Sequence, residues 1–225
     1  MIRAAVFDLD NTLYDSTTIP TTLLAPCVAA VRRANTGPDA LPDDVLESAI
    51  QAAYRFGFLA VADRRSLPAF LRTAWREAYR HLTVTGRLYP YPDVLPALDA
   101  LDLIKLLLTT GFRGMQESKI QALDIARMFD GIYIDVLEVG TLHGGNGQGK
   151  RRLLEEILTT HRLAPEDTLV IGDSPENEIA AGNAVGAVTV QILRPGVDYS
   201  DVARHHIKTL TDLPPLIRQL DGAGA

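Results

Sequence analysis

Two carboxylates separated by one residue, Asp8 and Asp10 in the run Asp8-Leu9-Asp10-Asn11-Thr12, follow a short apolar stretch at the start of the chain. Just past a strand, that spacing lets both point into one polar pocket. A carboxylate can attack phosphorus to give an aspartyl phosphate, a form of covalent catalysis. A phosphate dianion repels such a nucleophile, so a divalent cation must offset the repulsion. The second carboxylate can protonate the leaving alkoxide and later activate water. Taken alone, an acidic loop of this kind also serves simply to cap a turn.

Three further groups could complete such a site. Thr109-Thr110-Gly111 follows the apolar run ending at Leu108, where a hydroxyl and free backbone N–H groups can hold phosphate oxygens; Thr109 is the first choice of ligand and Thr110 the second. The bland alternative is a strand-to-helix turn. Lys150 ends the glycine-rich stretch that begins at Gly144 and opens a helix from Arg151 to His161, placed to neutralise a transferred phosphoryl group. A P-loop nucleotide binder is a third, disfavoured reading, because that motif needs Ser or Thr after the lysine and position 151 is Arg. The fourth group is Gly172-Asp173-Ser174-Pro175-Glu176-Asn177-Glu178. Ser174 can cap a helix whose first residue is Pro175, which leaves Asp173 at a strand tip to bind the cation. Glu178 is expected to orient a metal-bound water, and Glu176 to complement the helix dipole.

Short apolar runs at 2–7, 104–108, 132–136, 168–171 and 187–192 read as buried strands that alternate with helical segments. That alternation predicts an α/β fold, a Rossmann-like parallel sheet covered on both faces, with its ligand site beyond the C-terminal strand ends. From Ser16 to Arg87 the pattern is instead helical, at 23–34, 43–58 and 67–81, with Asp43 as a cap. The organisation expected is an α/β core of residues 1–15 and 88–225 interrupted by an all-α cap of residues 16–87. Tyr54, Phe56, Phe58 and Trp75 fall at helical spacing and read as cap core rather than as a platform for a base.

The net charge of −6 over 225 residues, with basic residues only in short pairs, argues against a nucleic-acid groove. No apolar run reaches the roughly 20 residues that span a bilayer. Asp8 and Asp10 interrupt any signal-peptide core. The lone Cys27 lies in an apolar stretch and is expected to be a buried small hydrophobe. A soluble cytoplasmic protein is expected.

In this order and spacing the motifs resemble those of the haloacid dehalogenase-like phosphohydrolases. Asp8, Asp10 and Thr12 match that family's first motif, Thr109 its second, Lys150 its third, and Asp173 with Glu178 its fourth. The helical insert resembles the family's cap. The resemblance implies Asp8 as nucleophile, Asp10 as acid and base, and magnesium held by Asp8, Asp173 and the Asp10 backbone carbonyl. Thr109, Thr110 and Lys150 would hold the phosphoryl group, with Glu178 and Thr12 supporting the ligands from behind. The sequence departs from the family in three places: Asn11 stands where Gly is frequent, Glu178 where Asp is more common, and no Pro follows Lys150. Lys119, in the middle of a helix from 113 to 123, is read as a surface residue. Asp10 disfavours dehalogenation, because family dehalogenases lack it. A small phosphorylated metabolite, a nucleotide or sugar phosphate, is the expected substrate. A sugar-phosphate mutase and a non-catalytic binding protein are the alternatives.

Overall fold

The computed structural model describes residues 1–137 and 148–223, the side chains of Arg55, Phe56, Ala60 and Ala223 excepted. Its centre is a six-stranded sheet in the order β3-β2-β1-β4-β5-β6, every pairing parallel. The strands are β1 (Ala4–Phe7), β2 (Ile104–Gly111), β3 (Gly131–Val136), β4 (Thr168–Gly172), β5 (Val188–Ile192) and β6 (His205–Ile207). The first five match the apolar runs of the sequence. The sixth, His205–Ile207, is missing from them, because a three-residue edge strand with two histidines carries no apolar signal. The second strand also runs three residues past its expected end at Leu108, so Thr109 and Thr110 belong to the strand itself.

Side chains alternate between the two faces of the sheet as the two-residue pleat requires, and in β1, β4 and β5 both faces are buried. Ala5, Phe7, Leu107, Leu169 and Ile171 pack on one face with residues of α5 (Val94–Ala100) and α9 (Leu213–Ala223). Val6, Leu106, Leu108 and Val170 pack on the other with α7 (Gln148–His161) and α8 (Ala180–Val185). Helices on both faces explain why the strands read as continuous hydrophobic runs. The helix α6 (Arg113–Leu123) follows β2 directly.

Between β1 and α5 the chain is helical: α1 (Ala25–Ala34), α2 (Asp43–Phe56), α3 (Phe58–Arg64) and α4 (Ala69–Tyr79). These bury a cluster of their own, including Cys27, Ile50, Phe58 and Trp75, which Phe112 and Met115 join from beside β2. Phe58 stacks on Trp75 with ring centroids 4.5 Å apart, so the core reading of those two holds, while Tyr54 is exposed. The run read as one helix from 43 to 58 is two, because Gly57 adopts φ +76°, a left-handed conformation that favours glycine. Pro42, not Asp43, holds the cap position of α2, and Asp43 and Asp44 fill its first turn, where they favour the helix dipole. Among the described residues no helix is long and apolar enough to cross a membrane.

The strand order reverses at β1: the chain goes first to β2 and β3 on one side, then to β4, β5 and β6 on the other. A crevice at the C-terminal ends of the strands is expected at that switch point. Phe7 pairs with Ile171, and the Asp8 amide donates to the Ile171 carbonyl at 2.9 Å. Asp8 and Asp173 therefore stand at the tips of adjacent strands.

Candidate active site

Asp8 leaves β1 into a buried cluster. Its carboxylate, with those of Asp173 and Glu178, offers oxygens that all lie within 4.8 Å of one another. Lys150 Nζ is 2.5 Å from Asp8 Oδ1 and also contacts Glu178 Oε1. Asp8, Glu178 and Lys150 are buried, and Asp173 is half-buried. Three carboxylates face one ammonium, so negative charge is left uncompensated. The strain appears in the ionisation of the acids. Burial, reinforced by the charge of Glu178, pushes the Asp8 carboxyl up to about 7 although Lys150 pulls it down. Asp173 is also pushed up to about 7, by burial and then by the charge of Asp8. Lys150 stays charged, since Asp8 and Glu178 outweigh its burial.

Hard carboxylate oxygens with a surplus of negative charge suit magnesium or another hard divalent cation. The residues present therefore fit the ion expected from sequence. Glu178 stands in the cluster itself rather than behind it. Its side chain folds back against Gly172, where a Cβ would meet Glu178 Cγ at 2.5 Å, and its Oε2 accepts from the Ser174 amide at 3.1 Å. Ser174 does hold the cap position before Pro175, but the turn is a π-helical one, Pro175–Ile179, and the Ser174 side chain makes no capping bond. A single π turn at a functional site is a familiar device for aiming side chains. Glu176 is exposed in the first turn of that segment.

The side chain of Asp10 belongs to a second cluster. Lys119 Nζ lies 2.8 and 2.9 Å from its two carboxylate oxygens, Tyr14 donates its hydroxyl at 2.5 Å, and Gln116 Nε2 donates at 3.3 Å. Burial works to raise the Asp10 carboxyl, but Lys119, Tyr14 and Gln116 together hold it below its ordinary value. Gln116 Nε2 also donates to Thr109 Oγ1 at 2.8 Å and to the Thr110 carbonyl at 2.7 Å. Thr109 is thereby tied to Asp10 through one amide. The Thr110 hydroxyl turns instead to Asp135 at 3.2 Å, away from the Asp8 cluster. Thr12 is fully buried and its carbonyl accepts from Arg194, whose Nη1 pairs with Asp93 at 2.9 Å. That contact pins the first-motif loop. Asn11 takes φ +54°, a conformation Asn tolerates well, and its Oδ1 accepts from Ser16.

One lysine, Lys119, corrects the sequence reading. Lys119 lies in mid-helix as expected but is buried, not on the surface, because α6 turns its Met115, Lys119 and Leu123 stripe inward. Lys150 is buried too, on the α7 stripe it shares with Leu153, Leu154 and Ile157. Those 3- and 4-residue spacings are the signal that a charged residue faces inward. Gln116, Tyr14 and Arg194 were not singled out from sequence; Gln116, one turn before Lys119, was the legible one. Gly144 to Gly147 of the glycine-rich stretch lie outside the described residues.

The family described as haloacid dehalogenase-like hydrolase matches residues 2–186, and the chain belongs to that family. The glyceraldehyde 3-phosphate phosphatase of Methanopyrus kandleri is 26% identical over 204 residues, 86% of this chain and 85% of that protein. The enolase-phosphatase E1 of Klebsiella oxytoca is 30% identical over 248 residues, 96% of this chain and 98% of that protein. In fold, the chain resembles the HAD-hydrolase YfnB of Bacillus subtilis, solved bound to magnesium, with a TM-score of 0.57 at 16% identity, covering 96% of this chain and 98% of that one.

Proposed function

We propose that the protein is a magnesium-dependent phosphate monoester hydrolase acting on a small phosphorylated metabolite through an aspartyl-phosphate intermediate. The observation that carries the reading is the pairing of two carboxylates in opposite environments. Asp8 sits in an acidic cluster beside Lys150, and Asp10 is held by Lys119, Tyr14 and Gln116. The position of Asp8 within the cation-binding carboxylates supports the nucleophile role for it, and the separate position of Asp10 supports the acid and base role. Relatives named as phosphatases for small substrates support it.

Asp8, Asp173 and Glu178 would hold magnesium, with the Asp10 carbonyl as a further ligand. When bound, the ion offsets the repulsion between the phosphate dianion and Asp8 and lets its carboxylate ionise. An Asp8 oxygen forms a bond to phosphorus while the bond from phosphorus to the leaving oxygen breaks. Asp10 gives that oxygen its proton. The negative charge of the bound dianion raises the Asp10 carboxyl towards the protonated form, against the pull of Lys119. Water then attacks the phosphoryl group and gives its proton to Asp10; phosphate leaves and Asp8 is restored. Lys150 and Thr109 hold the phosphoryl oxygens. Thr110 was the weaker ligand choice, and its hydroxyl bond to Asp135 leaves it its backbone for that role.

Residues 1–15 and 88–225 would form the catalytic core, and residues 16–87 a cap closing over the substrate. The single buried thiol fits the reducing cytoplasm. The test is phosphate release from p-nitrophenyl phosphate with magnesium, for wild type, for chelator-treated enzyme and for Asp8→Asn. Loss of release in both of the latter is expected. Turnover retained by pure Asp8→Asn would remove the nucleophile assignment.

A further inference from the structure

We infer that the cavity between the helical insert and the tip of β2 is the leaving-group subsite, and that it selects phosphate monoesters of small, largely apolar alcohols. The inference rests on the phosphatase reading and narrows its substrate class. The cavity is about 200 Å³. Leu59, Trp75 and Tyr79 line it from the insert, Phe112 and Met115 from the start of α6. Its polar end is made by Gln116 and Lys119, the two side chains that bond the Asp10 carboxylate. Since Asp10 protonates the leaving oxygen, the rest of the leaving alcohol extends from the Asp10 end into this space.

Size and polarity then restrict what the alcohol can be. An apolar cavity of about 150 Å³ takes up benzene, so this one admits one ring or a short chain. A nucleoside brings a base and a ribose, which exceed this volume and would have to extend beyond it. A hexose fits more nearly, but most of its hydroxyls would lose water against Leu59, Trp75, Phe112 and Met115, and a hydroxyl buried without a partner is unfavourable. The Gln116 amide oxygen is buried and has no partner among the described residues. One hydroxyl or N–H on the alcohol near the ester would satisfy it. The aromatic residues of the insert thus act as walls of a small pocket and not as a stacking platform for a base.

The test compares kcat/KM, with magnesium, for methyl, n-propyl and benzyl phosphate, glucose 6-phosphate and AMP. Propyl and benzyl phosphate should exceed AMP and glucose 6-phosphate by about 100-fold or more, the scale on which apolar pockets discriminate. Leu59→Trp should lower the benzyl-to-methyl ratio by filling the space, and Leu59→Ala should move the preference towards larger alcohols. Equal or better use of AMP or glucose 6-phosphate overturns the subsite while leaving the phosphatase standing. If no compound releases phosphate, the phosphatase reading falls, and calorimetric titration of Asp8→Asn decides the cavity separately. Tighter binding of benzylphosphonate than of AMP then upholds the pocket's selectivity, and the reverse order overturns it.

Discussion

Single side chains set the chemistry of this site, and Lys119 is the most informative of them. It holds both oxygens of Asp10 from a buried position, so it fixes where that carboxylate, the proposed acid and base, stands. Lys119→Met should lower kcat by about 100-fold or more, within the usual span of acid/base contributions, while KM changes little. Lys119→Arg should recover part of the loss, because a charged donor still reaches Asp10. A rise confined to KM, with kcat unchanged, would show that Lys119 binds substrate instead of positioning Asp10. Cys27 makes a separate prediction. Burial in the insert pushes its thiol up to about 12, so a thiol reagent at pH 8 should leave the native chain unmodified and label it only after denaturation. Fast labelling of the native protein would contradict the packing around α1.

At the scale of elements, the site depends on how closely a helical turn approaches a strand tip. Gly172 ends β4, and the space its missing side chain leaves is filled by Glu178. Gly172→Ala should displace Glu178 and raise the magnesium concentration needed for half-maximal activity by about 10- to 100-fold, the cost typical of disturbed metal support. An unchanged requirement would remove Glu178 from the ion's surroundings. The sheet itself was legible: five apolar runs gave five of the six parallel strands, since a strand buried on both faces cannot hide its hydrophobicity. The Gly57 break was not, because a glycine within an amphipathic run reads as helix until its φ is known. Lys119 shows the other limit. Its stripe with Met115 and Leu123 was present in the sequence, but a lone lysine in a helix is ordinarily solvated. What makes it a buried partner is Asp10, 109 residues away.

Over the whole molecule, two effects are open to measurement. Arg194 joins the loop after β5 to the Thr12 carbonyl and to Asp93 ahead of α5, and both charged side chains are largely buried. Arg194→Ala would leave Asp93 without its charge partner, the Leu210 amide remaining as its donor, and should cost about 3–5 kcal/mol, a fall in Tm of roughly 10 °C for a chain of this size. A shift under about 2 °C would mean the pair contributes no more than a surface ion pair. The second effect is linked to pH. Asp8 and Asp173 ionise near 7 in the folded chain against an ordinary 3.8. The unfolded chain therefore gives up these protons first, and their contribution to stability, full below 3.8, is lost as pH rises through about 7. In chelator, Tm should fall between pH 5 and pH 8, less so in Asp8→Asn, and magnesium at pH 8 should restore it by binding the folded state. An equal Tm at both pH values would count against the crowding of charge at the strand tips.

Sequence alone determined the alternation of strands and helices, the helical insert after the first strand and the order of Asp8, Asp10, Thr109, Lys150, Asp173 and Glu178. Each of these depends on local periodicity or on residue type at a strand end, and both act over short stretches of chain. Only the tertiary structure decided that Glu178 stands with Asp8 and Asp173, that Lys119 and Gln116 hold Asp10, and that the insert leaves a small apolar cavity beside them. Those facts depend on side chains from distant segments meeting within a few ångströms. The strand order and helix packing fix such distances, and no spacing along the chain records them.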